Sequence, residues 1–181
     1  MKKLMLSLAL LFAIITCFAQ ESAEDKTVKQ FYTEMGGPGI MFSANFDTRF
    51  IKSKQTGLGI RFGVGFTVKD NEEYTDANGN IQYRFRTIGT IPVGINYVLG
   101  KETSPHTFEA GAGITILTSK VEMLNYEGHQ KAGNIMGFFS FMYRRQPINS
   151  GFTWRIGFTP LINTAGDIVP FAGVGIGYSF K

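Results

Sequence analysis

Two histidines and a scattered set of opposite charges are the side chains here that could do chemistry. Histidine moves protons or ligates metal near neutral pH. The pair here, His106 and His129, would have to meet to share a metal. The charges that recur inside patterned segments are Asp47, Arg49, Arg61, Glu109 and Arg155, with Glu34, Arg84 and Arg86 further along their strands. Such groups could serve acid–base catalysis, line an ion path, or neutralise one another. Thiol chemistry is excluded from most of the chain, because the one cysteine, Cys17, lies in an apolar N-terminal stretch. A His-Ser-acid set acting on lipid needs its members close together on one face; His129 has Glu127 nearby but no serine in its segment. Gly173-Val-Gly-Ile-Gly177 and Gly57-Leu-Gly59 look like phosphate-cradling loops. That fingerprint needs a helix directly after the glycines, and here a strand pattern continues instead. No catalytic, metal or cofactor residue is assigned.

The elements that carry these residues are strands. In the last nine residues Val174, Ile176, Tyr178 and Phe180 alternate with Gly173, Gly175, Gly177 and Ser179. Side chains on a strand point to opposite faces with period two, so one face is apolar and the other nearly bare. The same division recurs along the chain and predicts about eight strands. They are 28–36, 40–51, 57–68, 81–99, 106–121, 134–145, 151–162 and a last one closing the chain. Ile40, Phe42, Ala44, Phe46 and Phe50 share the apolar face of the second. Leu58, Ile60, Phe62, Val64, Phe66 and Val68 share that of the third. The strand 134–145 is apolar on both faces; Phe139, Phe141 and Tyr143 are taken as its outer set. Gly36-Gly-Pro-Gly39 breaks the first strand from the second, since proline lacks a donor and glycine allows positive φ.

The N-terminus reads as an export signal. Lys2 and Lys3 precede an apolar stretch, and Cys17-Phe-Ala19 places small residues where a signal peptidase inspects. Cleavage after Ala19 makes 1–19 the signal, 20–27 a polar lead-in and 28–181 one domain. Lipoprotein processing at Cys17 is the rival, and Ile14 and Thr16 fit it poorly. The formal net charge of +4 falls to about +2 without Lys2 and Lys3, too mild for a nucleic-acid partner.

A closed, eight-stranded antiparallel barrel follows, and its apolar face must meet either lipid outside or a ligand inside. Three features favour lipid. The polar face of the third strand is mostly glycine, which suits a crowded lumen and not a solvated surface. Aromatic residues gather near the short turns, with Tyr97, Tyr143, Trp154 and Tyr178 as an interfacial girdle. The apolar face carries almost no charge in its middle. Short connections near 53, 102 and 148 then face the periplasm, and longer ones at 69–80 and 122–133 face outward. His106 and His129 fall at opposite ends. Asp47, Arg49, Arg61, Glu109, Arg155, Glu34, Arg84 and Arg86 face the lumen, which in so narrow a barrel holds only side chains. Buried charge must be paired, so Asp47 and Glu109 are expected among Arg61 and Arg155.

The tail Gly175-Ile-Gly-Tyr178-Ser-Phe180 resembles the terminal signal that barrel-assembly machinery reads, with Lys181 as a departure. The runs 36–50 and 91–97 resemble small Gram-negative outer-membrane barrels of the OmpX/OmpA-transmembrane-like class. The resemblance implies a fold and a compartment, with outer-membrane lipid, lipopolysaccharide and the assembly machinery as partners. The expected function is a monomeric, non-enzymatic outer-membrane barrel whose outer loops form a contact surface. The first rival is a conduit for small or apolar solutes, hinted at by Pro92 and Pro160 inside strands, where a lost ladder bond opens a gap. A porin-like reading belongs to that rival. The second rival is a lipid-modifying barrel enzyme.

Overall fold

The computed structural model describes residues 27–75, 80–121, 133–164 and 166–181. The signal 1–19, Cys17, nearly all of the lead-in 20–27, Asp76, the turn at Asn78, Glu127 and His129 lie outside the described residues.

Among the described residues the regular elements are one 3-10 turn and ten strands. The strands are β1 (Lys29–Gly36), β2 (Phe42–Arg49), β3 (Gly57–Thr75), β4 (Ile81–Gly100), β5 (His106–Val121), β6 (Gly133–Arg145), β7 (Gly151–Phe158), β8 (Leu161–Ile162), β9 (Ile168–Val169) and β10 (Ala172–Phe180). Each long strand pairs antiparallel with its sequence neighbours, and β10 returns to β1. The pairing of β5 with β6 closes the ring. β8 continues the line of β7 along β6: Phe141 faces Phe158, and Phe138 faces Leu161 in the same register. β9 likewise continues β10. The ring therefore has eight staves, each linked by neighbours on both sides. Among the described residues no sheet edge is left in its wall.

Both breaks fall at proline, Pro160 and Pro170, which lacks the ladder donor. The bond from Phe139 N to the Pro160 carbonyl (3.1 Å) and that from Thr159 N to the Phe171 carbonyl (2.7 Å) carry the wall across the gaps. At Pro92 the β3–β4 ladder skips from Phe62–Val93 to Gly65–Thr90 and resumes unshifted. The bonds around Pro160 span that break, and at Pro92 two ladder pairs to β3 are missing while the register holds on both sides.

Two boundaries differ from expectation. Residues 69–75 are strand, not loop; β3 and β4 continue past the ring as a hairpin, with an irregularity between Lys69 and Glu72. Ile40 is not on the outer face. Gly36 and Gly37 take positive φ (72° and 67°), and so does Ile40 (72°), so the chain turns inward over Gly37–Gly39. Ile40 is buried with Ile88, Leu117, Met136, Phe138, Leu161 and Val169.

The outer surface carries exposed Phe, Ile, Leu, Val or Tyr on every stave. Val64 is 64% exposed and Ile95 55%. The inner face of the ring is buried. Its glycines stand where no side chain fits: a Cβ at Gly94 would fall 2.7 Å from the Ala112 carbonyl oxygen and 2.8 Å from the Phe138 ring. No helix of the described residues is long and apolar enough to cross a membrane.

Candidate functional site

The interior divides into two halves. The half near the short turns at 50–56, 101–105 and 146–150 is polar. Parity along the strands delivers its charges: Asp47 and Arg49 from β2, Arg61 from β3, Glu109 from β5, Arg144 from β6 and Arg155 from β7, all buried. Glu109 is the hub. It meets Arg144 at 2.6 Å and Arg61 and Arg155 at 3.3 Å each. Asp47 pairs with Arg49, lies 3.5 Å from Arg144, and accepts a 2.5 Å hydrogen bond from Asn96. Gln30 Oε1 accepts from Arg144 (2.6 Å) and Arg155 (2.5 Å), and Gln30 Nε2 donates to Thr153 (2.7 Å). The Arg155 guanidinium also lies 3.7 Å from the Tyr32 ring centroid, and that of Arg61 4.8 Å from Phe138. In a medium of low dielectric an unpaired charge is costly, so this web offsets part of the positive charge that the strands bring inward, with two carboxylates among four guanidiniums.

The other half is apolar. The Gly37–Gly39 turn lies inside the ring, capping the cluster around Ile88, Leu117, Met136 and Phe138. Thr115 Oγ1 donates to the Pro38 carbonyl (2.7 Å) and Thr90 Oγ1 to the Gly39 carbonyl (3.0 Å). The carbonyls that the turn carries into the interior are thereby satisfied. Charged side chains in one half and a folded-in turn over apolar side chains in the other occupy the bore.

Asp47, Arg49, Arg61, Glu109 and Arg155 thus come together in the lumen. The expected partners change in part: Asp47 pairs with Arg49 and Arg144, not with Arg61 or Arg155. Glu34 is buried but stands apart, against Gly37 and Gly173, and its Oε1 accepts no hydrogen bond. Arg86 is exposed and is not a lumen residue, because the β3–β4 hairpin there has risen past the facing wall. Arg84 faces Glu72 by backbone register, and its side chain lies outside the described residues. The reading of the residues missed Arg144, Gln30 and Asn96. Arg144 was within reach. If Phe139, Phe141 and Tyr143 face out, the same parity turns Arg144 in.

On the outer face Tyr97, Tyr143 and Tyr178 are exposed and Trp154 is half-buried, all towards the short-turn end. Tyr143 and Trp154 pack with ring centroids 5.3 Å apart. Tyr97 and Tyr178 sit on other staves. Of the tail residues, Gly175 faces in, while Tyr178 and Phe180 face out. His106 lies beside Tyr143, with Nδ1 2.5 Å from the hydroxyl. Ser104 Oγ accepts from the His106 backbone (3.2 Å) and makes no pair with the ring. Among the described residues no cluster fit for a metal occurs.

One clasp ties two short turns. The Glu102 carboxylate accepts from the backbone of Gln55 (3.0 Å) and Thr56 (3.2 Å), and from the Thr56 hydroxyl. Slight burial opposes its ionisation, but these hydrogen bonds outweigh it and hold the carboxyl below the ordinary glutamate value.

No family model matches this chain, and no curated protein does. Among solved structures, the fold matches the N-terminal β-barrel domain of Pseudomonas aeruginosa OprF. The match has a TM-score of 0.50 at 12% identity, over 86% of this chain and 98% of that domain. The chain is an eight-stave antiparallel barrel of that architecture.

Proposed function

We propose that this chain is a non-enzymatic barrel of a bacterial outer membrane that anchors a surface-exposed contact hairpin. One observation carries the reading: the outer wall is apolar on every stave of a ring that has no free edge. Monomeric soluble proteins rarely expose contiguous apolar patches above a few hundred Å². Hydrocarbon is the solvent that such a wall fits. The short-turn end, with its belt of Tyr and Trp, then faces the periplasm, and the hairpin end faces lipopolysaccharide and the medium. A tilted strand needs about 9–11 residues to cross the bilayer. β3 has 19 and β4 has 20, so the hairpin stands above the membrane. The filled bore supports an anchoring role over a conduit, and the tail with Tyr178 and Phe180 supports recognition by barrel-assembly machinery. Catalysis is not part of this reading, because the lumen charges of Asp47 and Glu109 are engaged by Arg49, Arg61, Arg144 and Arg155.

The test is fractionation and folding of the full chain. The barrel should pellet with outer membranes, resist carbonate extraction, and run faster on a gel before boiling than after. A chain that remains dissolved in buffer without detergent refutes the reading.

A further inference from the structure

Two successive arginines leave β6 in opposite directions. Arg144 is buried in the lumen web, whereas Arg145 is exposed on the outer wall. Among the described residues no carboxylate pairs with Arg145. Its ladder neighbours are His106 on one side and Trp154 on the other, both on the same outer face. One step up β6 on that face is Tyr143, which contacts both neighbours: its hydroxyl lies 2.5 Å from His106 Nδ1, and its ring packs 5.3 Å from that of Trp154. The His106 ring lies 6.1 Å from the Tyr143 ring. Above this group the wall is Phe139, Phe141, Ile156 and Phe158. A lone guanidinium therefore sits where apolar wall gives way to the short turns, beside a tyrosine, a tryptophan and a histidine.

We propose that His106, Tyr143, Arg145 and Trp154 form a binding site for the phosphodiester of a glycerophospholipid in the inner leaflet. The inference rests on the membrane reading above. Arginine presents a planar fork of donors that fits phosphate oxygens, and its weak hydration suits a headgroup boundary. The Trp154 and Tyr143 rings seat the glycerol and upper acyl region, where amphipathic rings settle. The His106–Tyr143 hydrogen bond fixes the tyrosine hydroxyl at the level of the phosphate. The phosphate supplies the anion that the protein does not. Free phosphate shares the headgroup chemistry but lacks the chains that the apolar wall would hold.

The experiment is native mass spectrometry of the full, detergent-folded barrel with added phosphatidylglycerol, against diacylglycerol of the same chains and against inorganic phosphate. Phosphatidylglycerol should be retained over diacylglycerol. Arg145→Gln should lower that retention about fivefold, the size of losing one exposed charged contact. Tyr143→Phe, which keeps the ring against Trp154, should lower it less. Lys101→Gln, in the next short turn, should leave it unchanged. Equal retention by the wild type and Arg145→Gln overturns the site, as does displacement of the lipid by millimolar inorganic phosphate. Should Arg145→Gln fail to fold, Tyr143→Phe decides, and no loss there also overturns the site. A barrel that never enters membranes refutes the earlier reading instead.

Discussion

Glu109→Gln is the sharpest probe of how this barrel is held together. The change keeps the side chain's size and removes its charge. Glu109 is fully enclosed and, among the described residues, is the only carboxylate that meets Arg61, Arg144 and Arg155 together. Among the described residues the buried set comprises the guanidiniums of Arg49, Arg61, Arg144 and Arg155 and the carboxylates of Glu34, Asp47 and Glu109. Substitution raises the enclosed excess of arginine from one to two. Asp47 is engaged by Arg49 and Asn96 and lies 3.5 Å from Arg144, but it pairs with neither Arg61 nor Arg155, so it cannot replace the lost partner. Breaking a buried pair by removing one member costs about 3–5 kcal/mol. With a urea slope of about 1–3 kcal/mol/M, the unfolding midpoint should fall by roughly 1–5 M. The assay is reversible urea unfolding of the bilayer-refolded barrel, followed by tryptophan fluorescence of Trp154 and by gel mobility. Glu102→Gln, on an exposed turn, serves as the control and should cost under about 1 kcal/mol. If Glu109→Gln unfolds where the control does, water screens the lumen charges, and the argument from a dry, paired interior is wrong.

Other outcomes follow from the same geometry. Glu102 is held below its ordinary value, so its clasp contributes fully above about pH 4.3 and is lost as pH falls through the lowered value; the wild-type advantage over Glu102→Gln should shrink as pH falls below that ordinary value in acid titrations of the unfolding midpoint. Val64→Arg places a charge on the outer wall and should cost about 2–4 kcal/mol and lower assembly into liposomes. Gly65→Ser should also impair assembly, since a Cβ there would fall 2.8 Å from both Ser43 Cβ and Thr90 Oγ1; normal folding of Gly65→Ser means that the lumen is less crowded than described. In planar bilayers the purified barrel should give no steady current, and a constant ohmic step contradicts the filled bore.

The faces of the wall were legible because lipid or water acts on each strand separately, and alternation records that choice residue by residue. Strand positions, the break at Gly36-Gly-Pro-Gly39 and the inward set of Asp47, Arg49, Arg61, Glu109 and Arg155 follow from it. Even the ambiguous 134–145 segment obeys, with Phe139, Phe141 and Tyr143 outside. What alternation cannot record is how far apart two faces lie across the ring. The grouping of Arg144 with Glu109 and Gln30, the exposure of Arg86 above the facing wall and the register held past Pro92 and Pro160 are set by partners on other staves. The inward fold of Gly37–Gly39 is decided the same way: its carbonyls find Thr90 and Thr115 only once β4 and β5 have closed around them. Local pattern fixes which side of a strand meets which solvent. Ring closure alone fixes what meets across the lumen.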